Sequence, residues 1–203
     1  MEVDPFDLLP PFRYCSIDLY DIEDVENYAP GGYHPVNIGD VISSGERNYE
    51  IVHKLGHGGC ATIWLVRSGT QSKSYHAMKI LCADDADNPD RELAIFEHLK
   101  TVAGDGHPNV VDLHDSFKVT GPNGEHQCLV FPVLGPKLEM MYSQNMISGA
   151  VRHVMCRQIA SATAFLHHHG VCHGDLTPRN VVFELPGIQS MTLDGFFHLL
   201  GPI

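Results

Sequence analysis

Positive charge is what this chain has least of. Against 25 Asp and Glu it carries 13 Lys and Arg, for a net charge of −12. Direct nucleic-acid binding rests on basic patches, so that class of partner is not expected. A basic partner or substrate fits the balance, and so does simple solubility. Long apolar runs are also missing. None approaches the roughly 18 residues that a membrane helix needs, and no membrane span is expected. The start, Met1-Glu2-Val3-Asp4-Pro5, lacks the basic opening of a signal peptide, which makes cytoplasm or nucleus the expected location. Cys15, Cys60, Cys82, Cys128, Cys156 and Cys172 show no C-x-x-C spacing, as expected of reduced thiols. His167-His168-His169 and His173 form the densest part of a histidine-rich sequence. Adjacent histidines on a helix point in different directions, and no neighbouring cysteine or carboxylate completes a zinc spacing.

What is present reads as an ordered series of elements. Residues 1–48 are Pro-, Asp- and Gly-rich with weak periodicity and are expected to form an extended, partly disordered lead-in. Strands are expected at 49–55, 62–67 and 75–81, with a polar connection at 68–74. Asn88-Pro89 looks like a cap followed by proline at the first helical position, opening a helix to about Thr101. Two further strands fall at 110–119 and 126–133. From Gly149 to His169 the residues Val151, Val154, Met155, Ile159, Ala162, Phe165 and Leu166 mark one apolar stripe. A short strand follows at 181–183. The order predicts a five-stranded sheet with one helix, then a mainly helical part, which is a two-lobe α+β arrangement.

Two constellations carry chemistry. His173-Gly174-Asp175-Leu176-Thr177-Pro178-Arg179-Asn180 sets a carboxylate and a carboxamide five positions apart. Phosphoryl transfer uses such a pair, with Asp accepting a hydroxyl proton and Asn holding a magnesium ion on the phosphates. Leu55-Gly56-His57-Gly58-Gly59-Cys60-Ala61-Thr62-Ile63 is a glycine-rich turn between strands. Backbone approaches phosphate only where side chains are absent, although a plain hairpin would read the same way. Period two puts Ala77, Lys79 and Leu81 on one face of a strand and Met78 and Ile80 on the other. Lys79 faces either solvent or a buried anion. Glu92 shares a helix face with Ile95, Phe96 and Leu99. It is either the partner of Lys79 or a first-turn residue favoured by the helix dipole.

With these residues the chain resembles the eukaryotic protein kinases, and more closely the SR-protein kinases and their fungal relatives. The segments that carry the resemblance are Glu23 to Tyr28 with Gly31 to Asp40, the glycine loop with Trp64 and Leu65, and Val130-Phe131-Pro132-Val133-Leu134-Gly135. It covers roughly residues 23–203. It implies a small lobe at 49–134 and a partial large lobe at 135–203. It also implies that Leu55 and Ile63 roof the adenine of ATP beside Ala77, with Val182 as floor. Lys79 would contact the phosphates and pair with Glu92. Phe131 would be the gatekeeper, and the backbone of Pro132 and Leu134 would bond adenine. Residues 56–62 would cover the phosphates, Asp175 would be the catalytic base and Asn180 a ligand of Mg2+. The implied activity is serine/threonine phosphorylation, and the implied substrate is a protein, of basic Arg/Ser-rich type.

Departures from the family pattern qualify these expectations. Cys60 and Ala61 replace the aromatic tip and third glycine of the loop, which makes Cys60 a candidate reactive thiol. Gly174 stands where the usual arginine reads an activation-loop phosphate, and Thr177 where a lysine touches the transferred phosphate, so slower transfer is expected. No D-F-G follows. Leu193-Asp194-Gly195-Phe196-Phe197 has the order Asp-Gly-Phe, and residues 191–203 resemble an insert carried by fungal relatives. The chain is therefore expected to stop before the large lobe is complete, leaving an ATP-binding pseudokinase or scaffold as the alternative. A small-molecule phosphotransferase shares the H-G-D-x-x-x-x-N loop but not the lead-in or Trp64. With its partner helices missing, the stripe on the Gly149 helix is expected to favour association.

Overall fold

The computed structural model describes residues 23–195 apart from 46, 70–73, 84–89, 144–146, 186 and 193–194. The expected cap at Asn88-Pro89, most of the polar connection at 68–74, Asp194 and most of the 191–203 segment lie outside the described residues.

Strands form where β-branched and aromatic residues alternate. They are β1 (Val41–Ser44), β2 (Arg47–Gly58), β3 (Ala61–Ser68), β4 (Ser74–Leu81), β5 (Asp115–Gly121) and β6 (Gly124–Pro132), with α1 (Asp90–Ala103) between β4 and β5. They make one antiparallel sheet in the order β1-β2-β3-β4-β6-β5. The sheet has six strands where five were expected. The added strand is β1, whose Val-Ile-Ser-Ser sequence is too short to show a period. It lies inside the stretch expected to be an extended lead-in. It is held there because Ile42, 6% exposed, joins the buried cluster of Tyr49, Ile51, Trp64, Val66, Met78, Ile80, Cys128 and Val130. Burying an aliphatic side chain of this size contributes roughly 1.5–3 kcal/mol.

That cluster occupies one face of the sheet and leaves Ala77, Lys79, Leu129 and Phe131 on the other, as period two requires. A second cluster of Val52, Leu65, Tyr75, Val133 and Ile188 joins this sheet to the short helical turn at Ile188–Ser190, with Leu55, Leu185 and Met191 against it.

Beyond β6 the chain turns at Val133 into β7 (Leu134–Lys137) and α2 (Leu138–Ser143), then α3 (Gly149–His168) and β8 (Val182–Glu184). β7 and α2 were not expected, because four and six residues carry too little periodicity. The Ser148 side chain caps α3 by accepting from the Val151 amide at 3.4 Å. β7 and β8 pair antiparallel, with Leu134 opposite Glu184 and Lys137 opposite Val182. Of the α3 stripe, only Ala162 and Leu166 are buried, while Val151 and Val154 are exposed.

Candidate nucleotide and catalytic site

The glycine turn is tighter than its sequence suggests. β2 continues through Gly58 and β3 resumes at Ala61, with Gly56 opposite Ile63, His57 opposite Thr62 and Gly58 opposite Ala61. Only Gly59 and Cys60 form the turn itself. Register shifts at 51–53 and 54–56 bend β2 as it enters the turn. A Cβ placed on Gly56, Gly58 or Gly59 would meet nothing within 4 Å. None of the three adopts positive φ. Neither crowding nor backbone conformation therefore calls for glycine here. The missing side chains leave the main chain of the turn open to close approach.

Lys79 lies across from Ile63 on one side and Leu129 on the other. Its Nζ meets Glu92 Oε2 at 2.5 Å. Of the two readings open for each residue, the structure has the pair. Both side chains are part-exposed, at 28% and 37%, so the pair orients the lysine more than it stabilises the fold. On α1, Glu92, Phe96 and Leu99 are half-buried. Ile95, expected on the same inward face, is 38% exposed, because it falls a quarter-turn off the 92–96–99 row. The Phe96 and Phe131 rings lie 5.3 Å apart, which ties α1 to the end of β6. Ala77 sits opposite Phe131 in the ladder. Pro132 ends β6 opposite His76, and Leu134 opens β7 two residues later. Leu55 packs on the second cluster, and Val182 is 41% exposed in β8.

The segment from His173 to Asn180 is a loop cross-linked by its own hydrogen bonds. Asn180 Nδ2 donates to the Asp175 carbonyl at 2.9 Å and to its Oδ2 at 2.8 Å. The Asn180 amide donates to the Thr177 carbonyl at 2.9 Å. His173 Nδ1 accepts from the Asp175 amide at 3.3 Å. Gly174 takes φ 77°, a left-handed conformation that a side chain disfavours. Glu139 of α2 receives Arg179 Nε at 3.0 and 3.1 Å. Glu139, Asp175, Arg179 and Asn180 line an open depression of about 340 Å³ with Thr177 and Pro178.

Three contacts that carry no sequence signature join α3 and the segment after β8 to α1, the α1–β5 connection and β4. His98 Nε2 of α1 donates to the His169 carbonyl at 2.9 Å. His107 meets Ser161 at 3.0 Å and packs at a tilt against the Phe165 ring. Gln189 accepts from the Tyr75 amide at 2.9 Å and donates to its carbonyl at 2.8 Å. Each joins residues far apart in the chain, so no spacing could have announced it.

Residues 49–190 match the protein kinase domain. The chain belongs to the protein kinase family. Its relatives are of the SR-protein kinase type expected from the lead-in and loop. It is 37% identical to the serine/threonine-protein kinase spk-1 of Caenorhabditis briggsae over 189 residues, covering 88% of this chain and 16% of that protein. It is 38% identical to the serine/threonine-protein kinase SRPK of Physarum polycephalum over 180 residues, covering 83% and 41%. It is 33% identical to human SRSF protein kinase 3 over 172 residues, covering 79% and 29%. The chain thus spans less than half the length of each of these three relatives.

Proposed function

We propose that this kinase-family chain binds ATP between the glycine turn and the β7–β8 pair and directs its γ-phosphate to serine or threonine hydroxyls of proteins. The observation that carries this reading is the Lys79–Glu92 pair, set on the sheet face that also presents Ala77 and Phe131. A lysine aligned by a helix carboxylate is the kinase device for holding nucleotide phosphates. Leu55, Ile63, Ala77 and Phe131 supply apolar surface for the base, with Val182 as floor. The Pro132 carbonyl and the Leu134 backbone supply its polar contacts. Residues 56–62 cover the phosphates.

Asp175 is the group that orients a substrate hydroxyl and accepts its proton. Asn180, by donating through Nδ2, holds that carboxylate in place and keeps Oδ1 as an oxygen donor. A carboxamide and a carboxylate are hard oxygen donors. Magnesium takes such donors together with phosphate oxygens and water, so these residues fit the ion. When bound, the ion would neutralise charge on the phosphates. Thr177 offers a hydroxyl and no positive charge beside the loop, which supports slower transfer than with a lysine there.

The substrate we propose is a basic, Arg/Ser-rich protein. The net charge of −12 and the SR-type relatives support it. The cytoplasm or nucleus is the location we propose, since the buried, reduced Cys128 thiol suits a reducing compartment. The test is phosphate transfer by the 203-residue chain from labelled ATP to an Arg-Ser repeat peptide, with a Gly-Ser repeat as control. Transfer to the first, strongly reduced by Lys79→Met and Asp175→Asn, is the expected result. A chain that neither binds ATP in calorimetry nor transfers phosphate would overturn the reading.

A further inference from the structure

The segment before β1 is a strap, and it is fastened to the glycine turn. Tyr33 is 2% exposed, and its hydroxyl donates to the Gly58 carbonyl at 2.5 Å. Gly58 is the last residue of β2, next to the two-residue turn. Around it the strap is anchored on three sides. The Tyr33 carbonyl accepts from Asn123 Nδ2 at 2.7 Å, and the Asn123 carbonyl accepts from the Gly31 amide at 2.7 Å, which clasps the β5–β6 turn. The Gly32 carbonyl accepts from the Ala83 amide at 3.2 Å, just past β4. Glu23 pairs with Lys54 of β2, whose ammonium also lies 5.0 Å from the Trp64 ring centroid. The Tyr28 and Tyr33 rings meet edge to face at 5.3 Å. Burial raises the Tyr33 phenol above its ordinary value, so it stays a donor at neutral pH.

We propose that Tyr33 is a positioning residue for the nucleotide, holding the Gly58 carbonyl on the strap so that the turn is set at the height that receives phosphates. This rests on the nucleotide-binding reading above. A glycine hairpin loses much conformational freedom on closing over a ligand. A bond from an anchored phenol removes part of that freedom before the ligand arrives, and the benefit appears only for ligands that the turn touches. Adenosine, which has no phosphates, does not draw on it.

The experiment is calorimetry on the 203-residue chain with MgADP and with adenosine, comparing wild type with Tyr33→Phe. MgADP binding is expected to weaken about fivefold, the equivalent of about 1 kcal/mol at 1.4 kcal/mol per tenfold. Adenosine binding is expected to stay the same. Asn123→Ala, which loosens the strap elsewhere, should shift MgADP in the same direction, and it carries the test if Tyr33→Phe does not fold. Unchanged MgADP binding in the variants, or equal loss for both ligands, overturns the positioning role while leaving the nucleotide reading intact. A folded wild-type chain that binds neither ligand overturns both.

Discussion

At the residue scale, the Lys79–Glu92 and Asp175–Asn180 contacts both follow from local pattern. Lys79 and Glu92 could be paired from strand alternation and helix spacing because each period puts its residue on a defined face. Asp175 and Asn180 share one short loop, and their hydrogen bond is local. Tyr33, Asn123 and Gln189 act through side-chain bonds to distant backbone, which no periodicity encodes. Asp175→Asn is expected to lower turnover by about 10²- to 10⁴-fold while ATP affinity holds, as loss of a general base predicts. Steady-state kinetics on a peptide would separate the two. Gly174→Arg would restore the usual family residue but place a side chain at φ 77°. The left-handed backbone then costs roughly 1–2 kcal/mol, read as a lower denaturation midpoint with no gain in activity. Native alkylation followed by mass spectrometry should label Cys60, Cys156 and Cys172 ahead of Cys82 and Cys128, since the first three are exposed and the last two buried. Burial pushes the Cys128 thiol up to about 12, which leaves almost no thiolate at neutral pH. Bound nucleotide should slow labelling of Cys60 alone.

At the element scale, long periodic segments were readable and short ones were not. α3 was placed to within a residue because its apolar stripe runs about four turns, whereas β1, β7 and α2 are too short to show a period. β1 is stable through its neighbours: Ile42→Ala should cost about 2–4 kcal/mol, measured by chemical denaturation. Two imidazoles against the sheet are shielded from water: His34, buried in the segment before β1, and His76, half-buried in β4. His34 is lowered by burial and then by neighbouring His126, with Asp40 opposing. His76 is lowered by burial, then by His114 and Arg47, with Asp115 opposing. A histidine with a depressed folded value binds fewer protons than the unfolded chain, so stability rises with pH through that window. The protein should therefore melt at lower temperature as pH falls below about 6.5, the unfolded value. NMR titration should show His34 and His76 protonating below that point, and protonation above it contradicts the prediction.

At the scale of the whole molecule, one side of the chain is finished and the other is open. The sheet has apolar cores on both faces, while α3 leaves Val151 and Val154 at 44% and 55% exposure. Beside them Ile159, Ala160, Ala164 and Leu176 line an open groove of about 560 Å³. Apolar surface of this extent promotes association. Light scattering after gel filtration should show mass rising with concentration, and Val154→Asp should reduce it. A monomer across the range would contradict this. Acidity limits the effect by repulsion, so added salt should strengthen association.

The order in which the chain is synthesised meets a constraint in Gln189. Its carboxamide bonds both backbone groups of Tyr75, beside β4 at a position that β6, whose pairing begins at His76, does not reach. A side chain there does the work of a missing strand residue. Yet Gln189 lies 114 residues after Tyr75. On the ribosome, where folding proceeds from the N-terminus, the sheet can assemble all its strands and still wait, with the end of the β4–β6 ladder uncapped, until the segment beyond β8 emerges. The first half of the protein to be made is thus among the last to be closed.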